Sequence, residues 1–190
     1  MHKIYIIEHL EPEVFPWCLI EYKNISKIAG KENLWFCNLN GVKGVENLSS
    51  LGKCIKESVC KLALKNACVL DPDAEKTLSS EESKKFQYFI FGGILGDYPP
   101  KKRTKKELSS FLPHALKYNI GKEQMSTDNA VYVVKQIIKG KKLNEIPFQD
   151  KAEIKINDVE STILPYKYAL IKGKPMISKE LITYLKKKES

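Results

Sequence analysis

Residues 88–100 read YFIFGGILGDYPP, and this stretch decides the fold. Its first part, Tyr88–Phe91, is an uncharged apolar run, which is typical of a strand buried on both faces. Glycines follow at once and a proline pair closes the segment, so the strand must end there. A strand covered on both faces needs neighbouring strands and covering helices, so the same pattern should recur on either side of it.

Short apolar segments and helical segments do alternate along the chain in both directions. The predicted strands are Lys3–Glu8, Leu34–Leu39, Ala67–Leu70, Tyr88–Phe91 and His114–Ile120. The predicted helices are Pro16–Ala29, Ser49–Leu64, Leu78–Lys85, Thr104–Phe111 and Ser126–Ile138. This alternation predicts an α/β fold with a mostly parallel sheet and helices on both faces.

The 190 residues have the natural size of one domain. After Gly140 the pattern becomes irregular: Ile146–Ile156 and Ile163–Ile171 are predicted as edge strands or extended arms, and Ser178–Lys188 as a final helix. We therefore predict a single domain over residues 1–190, with 146–190 as a C-terminal extension. No apolar run reaches the roughly 18 residues that cross a bilayer, and no signal peptide is evident, so we expect a cytoplasmic protein without a membrane partner.

The chain is basic, with 32 lysines and arginines against 23 acidic residues and a net charge of +9. Such a charge suits a polyanionic partner such as RNA or a ribonucleoprotein. Arg103 is the only arginine, however, and a lysine bias of this kind is equally consistent with an AT-rich genome. The five cysteines are an odd number and include no CxxC pair, so they predict buried reduced thiols and no metal site.

Two loops are expected to carry the chemistry, because ligands of parallel sheets bind beyond the carboxyl ends of the strands. Residues 91–100, FGGILGDYPP, allow a ligand close to the backbone but match neither the dinucleotide fingerprint nor the P-loop. Residues 118–131, YNIGKEQMSTDNAV, lead from a strand into a helix. A tight turn explains the first loop equally well and a helix N-cap the second, but together they predict a two-sided pocket for an adenosine-like ligand.

Three motifs carry a family resemblance: IIEH at 6–9, FGGILGD followed by PP and Arg103, and MSTDNAV at 125–131. They resemble the SPOUT methyltransferase superfamily. Within it they are similar to the family of the fungal SPOUT-class arginine methyltransferase that acts on a small-subunit ribosomal protein, with archaeal relatives described as predicted RNA methyltransferases. The likeness runs from Lys3 to about Glu153. It implies a SPOUT-like α/β fold with a C-terminal trefoil knot and S-adenosyl-L-methionine as the cofactor.

The resemblance also implies which residues hold the cofactor. One side would be formed by Gly92, Gly93, Leu95 and Gly96, and the other by Ile120, Gly121, Met125, Ser126 and Thr127.

Arginine methylation needs carboxylates, because a guanidinium stays protonated up to a pKa above about 12 and must be held and deprotonated. The candidate catalytic residues are Asp97, Glu8 and Asp128. Asp97 is favoured because nothing structural requires an acid there, whereas Glu8 is also consistent with a solvated strand end and Asp128 with a favourable helix N-terminal charge. Arg103 and His9 are predicted to bind substrate; a solvent-facing arginine explains Arg103 equally well.

The leading hypothesis is a methyltransferase that modifies an arginine of a ribosomal protein, as a monomer or homodimer. A SPOUT enzyme acting on rRNA or tRNA is the first alternative, and the basic charge favours it. A ribosome-associated RNA-binding protein without catalysis is the second.

Overall fold

A computed structural model describes residues 2–99, 101–157 and 159–188. Its centre is a six-stranded sheet in which all neighbouring strands are parallel, in the order β3-β2-β1-β5-β4-β6. The strands are β1 Ile4–His9, β2 Leu34–Cys37, β3 Lys53–Cys54, β4 Ala67–Leu70, β5 Tyr88–Gly93 and β6 Leu116–Tyr118. The predicted α/β class with a mostly parallel sheet is confirmed.

Both faces of this sheet are buried, as the uninterrupted apolar strands predict. In β1, Tyr5 and Ile7 belong to one hydrophobic cluster, and Ile4 and Ile6 belong to a second one. The first cluster lies beneath the helices of the sheet: α1 Pro16–Ala29, α2 Ser80–Lys84 and α4 Thr127–Ile138. The second is covered mainly by short 3-10 helices and by Leu108, which follows α3 Arg103–Glu107.

The helix predicted over Ser49–Leu64 is wrong. This segment contains the edge strand β3 and a 3-10 helix at Val59–Lys61. Its apolar residues serve two different clusters, because Leu51 packs against the first and Val59 belongs to the second, so their helical spacing never formed one face. Gly52 also approaches the Leu34 carbonyl oxygen so closely that a Cβ atom there would lie 2.6 Å from it.

The last quarter of the chain forms a separate layer. The strands β7 Phe148–Lys155, β8 Ser161–Ile171 and β9 Lys174–Pro175 build an antiparallel sheet of their own, so the prediction of edge strands on the main sheet is wrong. The helix α5 Lys179–Lys188 follows as predicted. A third cluster, which includes Ile20 of α1 and Tyr168 of β8, joins this layer to the first helix.

The layer is also tied to the start of α4. The Asn129 side chain accepts a hydrogen bond from the Ala169 backbone N–H at 3.0 Å and donates one to the Met176 carbonyl oxygen at 3.0 Å. The domain boundary at residue 146 and the trefoil knot stay predictions. In the part of the chain that the structure describes, every helix falls short of the length and apolarity needed to cross a bilayer.

Candidate active site

A cleft of about 820 Å³ opens at the carboxyl edge of the parallel sheet. This volume is typical of small-molecule sites. Its walls come from the loops after β4, β5 and β6, from the start of α1, and from β8 and α5. The strand β4 lies between β5 and β6 in the sheet, so the two predicted loops face each other across it. Eight of the predicted cofactor residues line this cleft: Gly92, Leu95, Gly96, Ile120, Gly121, Met125, Ser126 and Thr127.

The glycine loop touches both the opposite loop and the C-terminal layer at Gly96. A Cβ atom on Gly96 would collide with the Gln124 side-chain amide and would lie 2.7 Å from the Tyr166 ring. The Tyr166 hydroxyl donates a hydrogen bond to the Gly96 carbonyl oxygen at 3.0 Å. A side chain at this position would force Gln124 and Tyr166 to shift, so the glycine fits the close packing around the cleft.

Gly93 lies beside the cleft and is not on its wall. A Cβ atom there would lie 2.5 Å from the Tyr22 hydroxyl and 2.8 Å from Ile7, both of which belong to the buried core. The missing side chain makes room for α1 to pack on the sheet, and the predicted cofactor contact of Gly93 stays a prediction.

Glu11 and Arg103 hold the glycine loop in place through hydrogen bonds. Glu11 Oε1 accepts hydrogen bonds from the Leu95 backbone N–H at 2.9 Å and from Arg103 Nη1 at 2.7 Å. Arg103 Nε and Nη2 donate to Glu107 at 2.8 and 3.0 Å. The hydrogen bonds to Glu107, followed by those to Glu11, raise the pKa of the Arg103 guanidinium above its usual value.

Arg103 lines the cleft, where its guanidinium is engaged by two carboxylates, and its predicted substrate-binding role stays a prediction. The sequence analysis missed Glu11. The only available signal was its position just beyond the predicted first strand, at the edge of the sheet where ligands bind.

Glu8 and His9 are drawn into the protein interior. The Glu8 carboxylate accepts hydrogen bonds from Ser58 Oγ at 2.5 Å and from the Val59 backbone N–H at 2.9 Å, and burial raises its pKa. His9 Nδ1 lies 2.8 Å from the Tyr22 hydroxyl, and burial lowers the pKa of the imidazole. Neither residue lines the cleft. Both side chains serve as internal anchors, and the catalytic role predicted for Glu8 and the substrate contact predicted for His9 stay predictions.

Asp97 lines the cleft as predicted. Its side chain is 26% exposed and forms an ion pair with Lys101 at 2.8 Å. Two further lysines of the cleft are matched by acids, since Lys102 pairs with Asp73 at 3.2 Å and Lys167 with Glu123 at 3.2 Å. These pairs partly neutralise the basic rim.

Asp128 lies behind the cleft wall, buried at the start of α4. Its carboxylate accepts hydrogen bonds from Ser126 Oγ at 2.6 Å, from Asn24 Nδ2 at 2.8 Å and from the Asn129 backbone N–H at 2.8 Å. Burial raises its pKa, and these donors oppose the increase. Asp128 therefore orders the loop before α4, and it reaches the cleft only through its charge.

Glu21 of α1 is the acid that the sequence analysis missed. It lines the cleft although it is only 8% exposed, and its Oε1 accepts a hydrogen bond from Trp17 Nε1 at 2.7 Å. Burial, followed by the charge of Asp128, raises the pKa of Glu21 to about 8, against hydrogen bonds from Trp17 and Thr127. The available signal was weak: an acid one turn after a tryptophan in a predicted amphipathic helix.

Three aromatic side chains surround this part of the cleft. Trp17 of α1, Tyr166 of β8 and Tyr184 of α5 all line it. The Trp17 and Tyr184 rings meet edge to face, with centroids 6.4 Å apart. Two of the three come from the predicted C-terminal extension, so this layer completes the cleft.

Residues 4–190 match the family model described as protein arginine N-methyltransferase SFM1-like. This chain belongs to the SFM1-like family. The resemblance to SPOUT arginine methyltransferases that the motifs indicate is confirmed. The SFM1-like chain is 38% identical to protein arginine N-methyltransferase SFM1 of Saccharomyces cerevisiae over 201 residues, which cover 96% of this chain and 94% of the relative.

Solved structures agree with this assignment. The crystal structure of yeast SFM1 complexed with SAM is similar with a TM-score of 0.90 at 34% identity, over 99% of this chain and 92% of that chain. The complex with SAH gives a TM-score of 0.88 at 33% identity, over 96% and 94%. A dual-specific Trm10 from Thermococcus kodakaraensis shares the fold alone, with a TM-score of 0.57 at 17% identity over 75% of this chain and 96% of that chain.

The described residues of this SFM1-like chain offer little for metal chemistry. Across 2–99, 101–157 and 159–188, histidine, cysteine, aspartate and glutamate form no group of three that could hold a metal ion. The five cysteines are free thiols, of which Cys18, Cys37 and Cys68 are buried.

Proposed function

We propose that this chain transfers the methyl group of S-adenosylmethionine to an arginine side chain, and that this arginine belongs to a ribosomal protein in the cytoplasm. The observation that supports the proposal most strongly is the cleft between the two glycine-containing loops. It lies in a chain that is similar over nearly its whole length to yeast SFM1 complexed with SAM. The cofactor supplies an electrophilic methyl group when it is bound.

The residues of the cleft fit a nucleoside cofactor. Leu95, Ile120 and Met125 provide apolar surface for a flat base, and neighbouring backbone N–H and C=O groups can recognise its polar edge. Gly121 has a φ of 114°, which a larger side chain rarely adopts, so the loop can turn around the ligand. We assign cofactor binding to these residues together with Gly92, Gly96, Ser126 and Thr127.

The protein contributes orientation and the exclusion of water. A nucleophile must be held roughly 3–3.5 Å from the carbon it attacks, with its lone pair aligned, and a rigid cleft can hold both groups in this geometry. The ion pair between Glu11 and Arg103 and the Tyr166–Gly96 hydrogen bond fix the glycine loop on two sides. The aromatic side chains of α1, β8 and α5 narrow the opening through which the acceptor arginine enters.

A ribosomal protein is the proposed acceptor for two reasons. The sequence motifs resemble a family whose fungal member modifies such a protein. The net charge of +9 also favours approach to a particle rich in RNA, whose long-range potential is negative.

The test is to incubate the protein with ribosomal small subunits and methyl-labelled S-adenosylmethionine, and then to separate RNA from protein. We expect the label in the protein fraction, released as methylarginine by acid hydrolysis. Label in the RNA fraction would make the chain an RNA methyltransferase. An absence of both labelling and cofactor binding by calorimetry would leave only an RNA-binding role.

A further inference from the structure

We propose that Glu21 is the catalytic residue that binds the guanidinium of the acceptor arginine and receives its proton, in a subsite completed by Trp17, Tyr166 and Tyr184. This inference rests on the proposed function and identifies the part of the cleft that binds the acceptor arginine.

The position of Glu21 is the first reason for this role. Its side chain is more than nine-tenths buried and yet lines the cleft, and the Trp17 indole N–H fixes one carboxyl oxygen at 2.7 Å. Among the described residues, Glu21 forms no ion pair, whereas Asp97 is held by Lys101 at 2.8 Å. A buried acid without a cationic partner is costly, so the site is suited to a ligand that brings the cation.

A guanidinium is the cation that fits this geometry. It is planar, can donate two parallel hydrogen bonds to a carboxylate, and is attracted to aromatic faces. Trp17, Tyr166 and Tyr184 supply aromatic surface around Glu21. A lysine ammonium would use the carboxylate but would benefit less from planar stacking between rings, so the subsite favours arginine.

The groups facing Glu21 come from four elements. They are Trp17, Cys18 and Tyr22 on its own helix, Asp128 at the start of α4, Tyr166 and Tyr168 on β8, and Tyr184 and Lys188 of α5 in the same cleft. Three donors solvate the Asp128 carboxylate, and its charge disfavours a second anion at Glu21. Glu21 therefore holds a proton near neutral pH in the empty cleft and loses it when a guanidinium enters.

The ionised Glu21 then has the charge that the reaction needs. The attacking guanidinium nitrogen forms a bond to the methyl carbon, and the carbon–sulfur bond breaks with both electrons going to sulfur. One N–H proton passes from that nitrogen to the Glu21 carboxylate. The methylated arginine remains a cation, the sulfur becomes a neutral thioether, and the proton leaves from Glu21 to solvent.

The first test compares Glu21→Gln with Asp97→Asn, a matched removal of charge in the same cleft. We expect Glu21→Gln to bind S-adenosylmethionine within threefold of the wild type by calorimetry and to lose at least about 100-fold in kcat/KM on ribosomal small subunits. The wild-type kcat/KM should rise with pH through an apparent pKa near 8, and this rise should be absent in Glu21→Gln. Asp97→Asn should keep the rise with pH.

The second test needs no activity and no variant that must fold well. Carbon-13 NMR of the glutamate carboxyls in the wild type should show one group titrating near pH 8, and ethylguanidinium should lower that midpoint. Methylammonium at equal concentration should lower it less. A Glu21→Gln enzyme within threefold of wild-type kcat/KM, or a midpoint that ethylguanidinium leaves unchanged, would overturn the inference. Failure of the wild type itself to label protein would instead overturn the proposed function.

Discussion

The Tyr166 hydroxyl on β8 donates a hydrogen bond to the Gly96 carbonyl oxygen, 3.0 Å away in the glycine loop. This bond joins the C-terminal layer to the most distinctive motif of the chain. The layer is therefore part of the cleft, and its loss would affect cofactor binding as well as acceptor binding.

Replacing Tyr166 with phenylalanine should weaken cofactor binding while keeping the aromatic surface. Loss of one such hydrogen bond costs about 1 kcal/mol, which corresponds to roughly a fivefold higher Kd. Titration calorimetry with S-adenosylmethionine measures this change. Tyr132→Phe is the control, because Tyr132 lies on α4 outside the cleft. Equal Kd values for the two variants would contradict a role for this hydrogen bond.

Alanine at Gly96 and at Gly93 should have different effects. At Gly96 the new methyl group collides with Gln124 and Tyr166 in the cleft, so we expect the Kd for S-adenosylmethionine to rise at least tenfold. At Gly93 it meets Tyr22 and Ile7 in the core, so we expect a loss of about 1–3 kcal/mol in the free energy of unfolding.

Urea unfolding and calorimetry on both proteins separate these effects. If folded Gly93→Ala lost cofactor binding with unchanged stability, the predicted contact of Gly93 with the cofactor would be supported.

Glu8→Gln should destabilise the protein. The fraction that remains folded should still transfer methyl groups as the wild type does. The two carboxylate oxygens accept from the Ser58 hydroxyl and the Val59 N–H respectively, and the amide leaves one of these donors without an acceptor, so the expected cost is about 1–3 kcal/mol in the free energy of unfolding. Glu75→Gln, at an exposed position, is the control. A folded and equally stable Glu8→Gln protein without methyl transfer would show instead that Glu8 acts in catalysis.

The stability of the protein should depend on pH through Glu21. Its pKa rises from an ordinary 4.5 to about 8 on folding, so the folded state binds this proton more tightly than the unfolded state. The resulting stabilisation is complete below pH 4.5 and is lost as the pH rises through 8. The free energy of unfolding of the wild type should therefore fall relative to that of Glu21→Gln as the pH rises over that range.

Urea unfolding at several pH values between about 4.5 and 9 measures this difference, and Asp97→Asn serves as the matched control. A difference that stays constant with pH would mean that Glu21 ionises normally in the folded protein.

Five of the six strands of the parallel sheet and the two long helices could be read from the sequence because each depends on local pattern. Tyr88–Phe91 is apolar at every position, and such a run is stable only between neighbouring strands with both faces covered. Ser49–Leu64 misled the same reasoning, since Leu51 and Val59 have helical spacing but pack into different clusters. Periodicity indicates that residues share a face only when one element carries them all.

The sequence by itself determined the parallel α/β sheet, the two loops of the cleft and the family, because glycine spacing and apolar runs are local properties that survive without neighbours. Only the tertiary structure decided which carboxyl group lines the cleft. Glu8 and Glu21 are both acids at the edges of apolar segments, yet the packing of β1 turns one toward Ser58, and the packing of α1 turns the other into the cleft. Glu21 lies in the same cleft as Tyr166 and Tyr184 only because the C-terminal layer packs against α1. Proximity of this kind depends on long-range packing.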